Sequence, residues 1–229
     1  MDAERGAVEY EAFCDLARVD LERESQLLRE NALDRLSSVH GSWHPTGFAV
    51  FHLNENHPLG ILRLHIWPDN KRVVRPDGAP IHTHVWHLCS RILVGTYIET
   101  LFEKSEPVPD KTPEFHSAHI NYLVDKDTFT ASGKASLQPV GTTRFTEGEF
   151  HAVPADVPHE TLISDRSFVA TLLITSQPVA DRVTMYSQER IATSTYNRPK
   201  ITQDEKRDLL SRLEHEMKKQ AGPVDEISR

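Results

Sequence analysis

The sequence predicts an all-β core, a sandwich or barrel, flanked by N- and C-terminal helices. Between residues 46 and 186, short runs rich in Val, Ile, Thr, Phe and Leu alternate with turn residues, which is how such a core reads. Ahead of it Tyr10, Phe13, Ala17 and Leu21 recur at helical steps. Behind it Thr202 and Glu205 form a capping box in front of an apolar stripe. These boundaries give an N-terminal helical segment (1–45), a β core (46–186) and a C-terminal helical extension (187–229).

In chain order, the first segment continues its apolar face through Leu28 and Leu36, with Arg18, Glu22, Arg23, Arg29 and Glu30 filling the gaps. Gly41 and Pro45 close it. Strands are expected at 48–53, 61–67, 81–103, 119–124, 141–145, 150–153, 159–163 and 168–175. The run 81–103 is too long for one ordinary strand, so it bends or divides. Segments 68–80 and 104–115 are dense in Pro, Asp and Lys and read as loops. In the last segment Leu209, Leu210, Leu213 and Met217 make one apolar stripe. Gly222-Pro223 ends that helix, and 224–229 reads as a frayed tail.

Composition narrows the function. A chain of 229 residues suits one domain with a sizeable core. The net charge of −8, without a basic block, disfavours nucleic acid as a partner. No apolar run approaches the roughly 20 residues that span a bilayer, and MDAERGAVEYEAF lacks the build of a secretory signal. Two cysteines, Cys14 and Cys89, cannot make a disulfide framework. The cytoplasm is the expected setting, with no membrane partner. The excess lies in histidine, of which there are 13, a residue that both ligates metals and titrates near neutrality.

Two stretches concentrate that chemistry. In GAPIHTHVWHLCSRILVG, from Gly78 to Gly95, His82 and His84 are two apart, so a strand would present both imidazoles on one face. Such a pair chelates a divalent ion if a third ligand arrives from elsewhere. In GEFHAVPADVPHETLI, from Gly148 to Ile163, a turn built on Pro154 to Pro158 delivers His159 at a fixed position as the next strand begins.

Together the two spacings resemble the double motif of the cupin superfamily. The first matches at His82, His84 and Gly95, with Gly78 closer to the first histidine than usual. The second matches at Gly148, Pro154 and His159, with Asp156 where the family usually carries a second glycine. The resemblance covers about 80 of the 229 residues. It implies a double-stranded β-helix, or jelly-roll barrel, with His82, His84 and His159 holding a metal inside. Cupins usually add a glutamate four or five residues after the second histidine. Here those positions are Leu88 and Cys89, which leaves a neutral three-histidine set. Fe, Zn, Cu, Ni or Co suit it, whereas Mg and Ca do not.

A three-histidine cupin lacking that glutamate is most similar to the thiol dioxygenases, typified by cysteine dioxygenase. Glu99-Thr100-Leu101-Phe102 after Gly95, the long N-terminal helix, and Trp67 ending the strand before the histidines extend the likeness. It implies Fe(II), with O2 and a small-molecule substrate as partners. Cysteine itself is not the implied substrate: Leu53 stands where the family has its carboxylate-binding arginine, and Thr171-Leu172-Leu173-Ile174-Thr175 lacks the family's histidine and tyrosine. Two other readings remain open, a Zn2+ hydrolase or lyase on the same histidines and a barrel that binds a small molecule without turnover.

Other groups are candidates for the pocket or for support behind the ligands. Arg63 and His65 share a strand face opposite Leu62, Leu64 and Ile66. One of these two faces looks into the barrel, and alternation does not say which. His87 faces away from His84 on a regular strand and turns inward only at a bulge. His151 enters the second motif's turn, and Cys89 follows the first pair. Tyr97, Tyr122 and Tyr186 are the phenols that could serve as proton donors. The sheet edges of such a barrel suit a homodimer.

Overall fold

A computed structural model describes residues 2–69, 72, 80–106, 114–123 and 126–220. Gly78, Gly222, Pro223 and 224–229 lie outside the described residues, as does the side chain of Tyr122. The elements, in chain order, are α1 (Asp2–Leu36), β1 (Gly41–Trp43), β2 (Ala49–His57), β3 (Gly60–Trp67), β4 (Ile81–His82), β5 (Leu88–Val94) and β6 (Thr96–Ser105). They continue as β7 (Glu114–Leu123), β8 (Lys126–Thr146), β9 (Phe150–Val153), β10 (His159–Leu162), β11 (Val169–Thr175), β12 (Val183–Ser187), β13 (Ser194–Asn197) and α2 (Gln203–Gln220).

Two antiparallel sheets result. One runs β1-β2-β3-β11-β5-β9, and the other β13-β8-β6-β10-β4-β12-β7, with β7 also paired to β8. The central ribbons, β3-β11-β5-β9 and β4-β10-β6-β8, are joined by a chain that changes sheet at each step from β3 to β6 and again from β8 to β11. That interleaving is the jelly-roll barrel. The long run from Ile81 divides three ways, into β4, β5 and β6. Gly95 makes the sharp change from β5 to β6 with φ +84°, and a Cβ there would meet the Phe168 carbonyl oxygen at 2.5 Å.

The six-stranded sheet is covered on its outer face by both helices. Phe13, Cys14, Ala17, Leu21 and Leu28 of α1 and Leu209, Leu210, Leu213 and Met217 of α2 pack with Leu62, Leu64, Ile66, Leu93, Leu172 and Ile174. This strand alternation settles the orientation of β3. Its leucine and isoleucine face meets the helices, so Arg63, His65 and Trp67 line the interior. At the start of α2, Glu205 Oε2 accepts the Thr202 N–H at 2.9 Å, and Thr202 Oγ1 accepts the Glu205 N–H at 3.2 Å. The capping box therefore forms as its residues predict. α1 is kinked at Asn31.

Several expectations from the sequence change: β1 falls within the segment expected to be helical, and β12 adds a strand beyond those expected. Segment 104–115 is not wholly loop, because β6 runs to Ser105 and β7 begins at Glu114. Only the 141–145 part of the 21-residue β8 was expected as strand. The segment after residue 187 carries β13, paired with β8, before its helix. Among the described residues no helix is long and apolar enough to cross a membrane.

Candidate metal centre

Both motifs meet at one point of the second sheet. His159, the first residue of β10, pairs across strands with His82 of β4. His84 follows β4 in irregular backbone, held by Thr83, whose N–H donates to the Thr184 carbonyl at 2.8 Å. One ring nitrogen from each of His82, His84 and His159 lies within 4.8 Å of the others. Ring centroids are 5.0 Å apart for His82 and His84, 4.6 Å for His82 and His159, and 4.7 Å for His84 and His159.

The turn that delivers His159 is pinned to the first motif. The Ala155 N–H donates to His87 Nδ1 at 3.0 Å, and the Asp156 N–H to the His84 carbonyl at 2.9 Å. Asp156 itself has φ +59°. That left-handed conformation explains why glycine is usual there, and Asp is among the residues that tolerate it.

Hydrogen bonds fix the tautomers of two histidines. His82 Nδ1 lies 3.1 Å from the Pro80 carbonyl oxygen, and His159 Nδ1 lies 3.1 Å from that of Val157. A carbonyl only accepts, so each Nδ1 carries the hydrogen and each Nε2 keeps its lone pair. Among the described residues His84 Nδ1 has no hydrogen-bond partner and is buried, an unmet polar atom within the cluster. Burial holds His84 and His159 well below the usual imidazole range, and neighbouring histidines push the same way. Burial also lowers His82, against the Pro80 hydrogen bond. Three neutral imidazoles with converging lone pairs are a donor set that fits a divalent transition ion.

The cluster opens onto a cavity of about 470 Å³ between the sheets. Of the other residues singled out in the sequence, Arg63, His65, Tyr97 and His151 line it. His87 does not; its ring packs on Tyr10 and Phe13 of α1, at 5.1 and 5.9 Å between centroids. Cys89 does not either, since it is fully buried in the core between sheet and helix with Cys14. Regular alternation along β5 turns Cys89 to that outer face, and both cysteines are free thiols.

The structure adds residues that sequence spacing did not single out. His44 stacks on Phe48 at 4.2 Å, and Phe48 meets Trp67 at 4.5 Å, making an aromatic wall. Trp86 is sandwiched, with His84 stacked on it at 5.6 Å and the Arg63 guanidinium 5.0 Å from its ring centre. Arg198 reaches the cavity from beyond β13, anchored on the fully buried Asp127 by bonds of 2.8 and 3.0 Å. Arg72 donates to the Pro68, Ile163, Ser164 and Ser167 carbonyls, which ties down the cavity rim. Glu160, next to His159, lines the cavity, and partial burial raises its carboxyl above the usual range.

No protein-family model matches this chain, and no curated protein does. Among solved structures it is similar to a tryptophan-to-tyrosine variant of oxalate decarboxylase from Bacillus subtilis, at 13% identity and a TM-score of 0.34. That match covers 62% of this chain and 28% of the other. A second is hydroquinone 1,2-dioxygenase PnpCD in complex with Cd2+ and 4-hydroxybenzonitrile, at 10% identity and a TM-score of 0.33, covering 57% and 65%. The chain thus spans less than two thirds of either relative. The fold rests on the strand order given above, and the site on its own geometry.

Proposed function

We propose that this chain is a metal-dependent cupin enzyme, a non-haem Fe(II) dioxygenase resembling the thiol dioxygenases, acting on a small polar substrate other than cysteine. The observation that carries this reading is the convergence of His82, His84 and His159 on the wall of the cavity between the sheets. These three imidazoles would hold the ion and leave it open positions. When bound, such an ion brings substrate and O2 together and supplies the redox chemistry.

The remaining residues bind and orient. A cavity of about 470 Å³ falls within the range of small-molecule sites. Arg63, stacked on Trp86, offers a planar pair of donors to an anionic group such as a carboxylate. Phe48, Trp67 and Trp86 exclude water around it. Departures from the cysteine-specific pattern favour another substrate. Leu53 packs toward the helix-covered core, and β11 presents Thr171, Leu173 and Thr175 to the cavity.

The test is metal content of protein purified without chelator, beside His159→Ala, followed by O2 uptake after anaerobic Fe(II) loading. The panel is small thiols, amino acids and carboxylates. The reading expects near-stoichiometric iron that the variant loses, and substrate-dependent O2 uptake. Zinc without O2 uptake replaces it with a hydrolase or lyase on the same histidines. Ligand binding without turnover replaces it with a binding barrel, and absence of metal overturns the three-histidine centre.

A further inference from the structure

A set of buried polar groups beside the histidine cluster has no part in holding a metal. Tyr97 and Glu99 lie two apart on β6, so both side chains leave the same face of the sheet. His151 of β9 reaches between them. The Tyr97 hydroxyl is 2.7 Å from His151 Nδ1, and His151 Nε2 is 4.0 Å from Glu99 Oε1. The other carboxylate oxygen, Glu99 Oε2, accepts from Thr161 Oγ1 at 2.6 Å. Tyr97, Glu99 and His151 are 4%, 2% and 7% exposed. Tyr97, His151 and Thr161 line the cavity, and Thr161 lies two residues beyond His159.

His151 Nε2 and Glu99 Oε1 face each other, and neither has a hydrogen-bond partner among the described residues. A buried polar atom left unmet is costly, and two bare acceptors face to face would also repel. A single proton between them, with a closure of about 1 Å to hydrogen-bond length, satisfies both. Placed on Glu99 Oε1, that proton makes Nε2 an acceptor. Nδ1–H then donates to the Tyr97 oxygen, and the Tyr97 O–H is left to turn from Ser90 Oγ, 3.5 Å away, to whatever occupies the cavity.

We propose that Tyr97, His151 and Glu99 form a proton relay that delivers a proton through the Tyr97 hydroxyl to a ligand in the cavity. It rests on the reading of that cavity as a substrate site. The Tyr97 O–H bond breaks as the ligand gains the proton, and His151 Nδ1–H restores the phenol. His151 Nε2 takes the proton of Glu99, which ends as a carboxylate held by Thr161 and Nε2–H. Three protons each shift to the next group and the net delivery is one; the imidazole ends neutral with its tautomer switched, and the negative charge appears on Glu99. Tyr97 is the catalytic residue of the set, and His151 and Glu99 act through it. The electrostatics agree: burial pushes Glu99 up to about 8 and His151 down to about 4, so at neutral pH the carboxyl holds the proton.

Infrared spectroscopy of the full-length protein at pH 7 tests this without requiring turnover. The wild type should show a buried protonated carboxyl band that Glu99→Gln removes and Tyr97→Phe shifts. Absence of that band in the wild type, or a band that Tyr97→Phe leaves unmoved, overturns the relay. If Glu99→Gln does not fold, Tyr97→Phe and a pH titration of the wild-type band decide. Metal content of the same samples separates the two readings. Missing metal with the band intact sinks the metal centre alone, whereas normal metal without the band sinks the relay alone. In a turning-over system Tyr97→Phe should lower kcat on the order of 100-fold with KM little changed, and a change confined to KM counts against the relay.

Discussion

His159 and His82 face each other across the antiparallel pair β10–β4, with ring centroids 4.6 Å apart. The relationship joins two motifs far apart in sequence, and the two are stitched again where the Asp156 N–H bonds the His84 carbonyl. The ligand geometry is therefore set by sheet register and turn, so each histidine can be replaced without dismantling the barrel.

Replacing His84 with alanine should weaken divalent-metal affinity by about 100-fold or more, since losing even a group that supports a ligand typically costs 10–100-fold. The thermal midpoint of the metal-free protein should change little or rise, because the variant removes a buried nitrogen without a partner among the described residues. Competition titration with a chromophoric chelator, beside calorimetry, checks both.

Acid should unfold the metal-free protein early. Burial depresses His44, His65, His84 and His159 well below the ordinary range, and His151 to about 4. These groups stay neutral in the fold, whereas unfolded imidazoles protonate from about pH 6.5 downward. The unfolded state then binds more protons, so the contribution of these histidines is full above about pH 6.5 and falls as the pH drops. Denaturant midpoints between pH 5 and 7 should show a slope of more than one proton per molecule. Bound metal, competing with those protons, should move the fall to lower pH.

Glu99 should act with the opposite sign. Its folded value is raised to about 8 from 4.5, so the native state holds a proton that the unfolded chain has released. Its contribution to stability is full below about pH 4.5 and is lost up to about pH 8, on the order of a few kcal/mol. Glu99→Gln should flatten that part of the profile and raise the thermal midpoint at pH 8 relative to wild type. Calorimetry at pH 6 and 8 is the comparison, and parallel losses in both proteins would refute it.

Gly95→Ala should destabilise the barrel by about 2–4 kcal/mol. The new Cβ would sit 2.5 Å from the Phe168 carbonyl oxygen, at a φ of +84° that side chains rarely adopt. Urea denaturation of wild type and variant measures it. A difference under about 0.5 kcal/mol would mean that β5 and β6 part by another route.

Much of the architecture was legible because burial writes itself into residue order. Leu62, Leu64 and Ile66 alternate with Arg63, His65 and Trp67, and Thr202 with Glu205 marks a helix start. The β7–β8 hairpin was harder to read. Long stretches of β8 are exposed, so its polar residues carry little alternation and its Pro and Gly suggest turns. Cys89 and His87 are close to the histidines in sequence, yet alternation along β5 turns Cys89 toward α1, and the irregular segment before β5 packs His87 on Tyr10 and Phe13 of α1.

The sequence by itself determined the all-β class and the flanking helices, which depend on local periodicity and turn chemistry, and its resemblance to the cupin double motif singled out the three histidines. Tertiary structure alone decided that the Arg63 and His65 face looks inward, because only the helices packed on Leu62, Leu64 and Ile66 choose a side. It alone brought His151 of β9 between Tyr97 and Glu99 of β6 and carried Arg198 to the cavity. Such contacts arise from the pairing of distant strands, and no short window of residues encodes them.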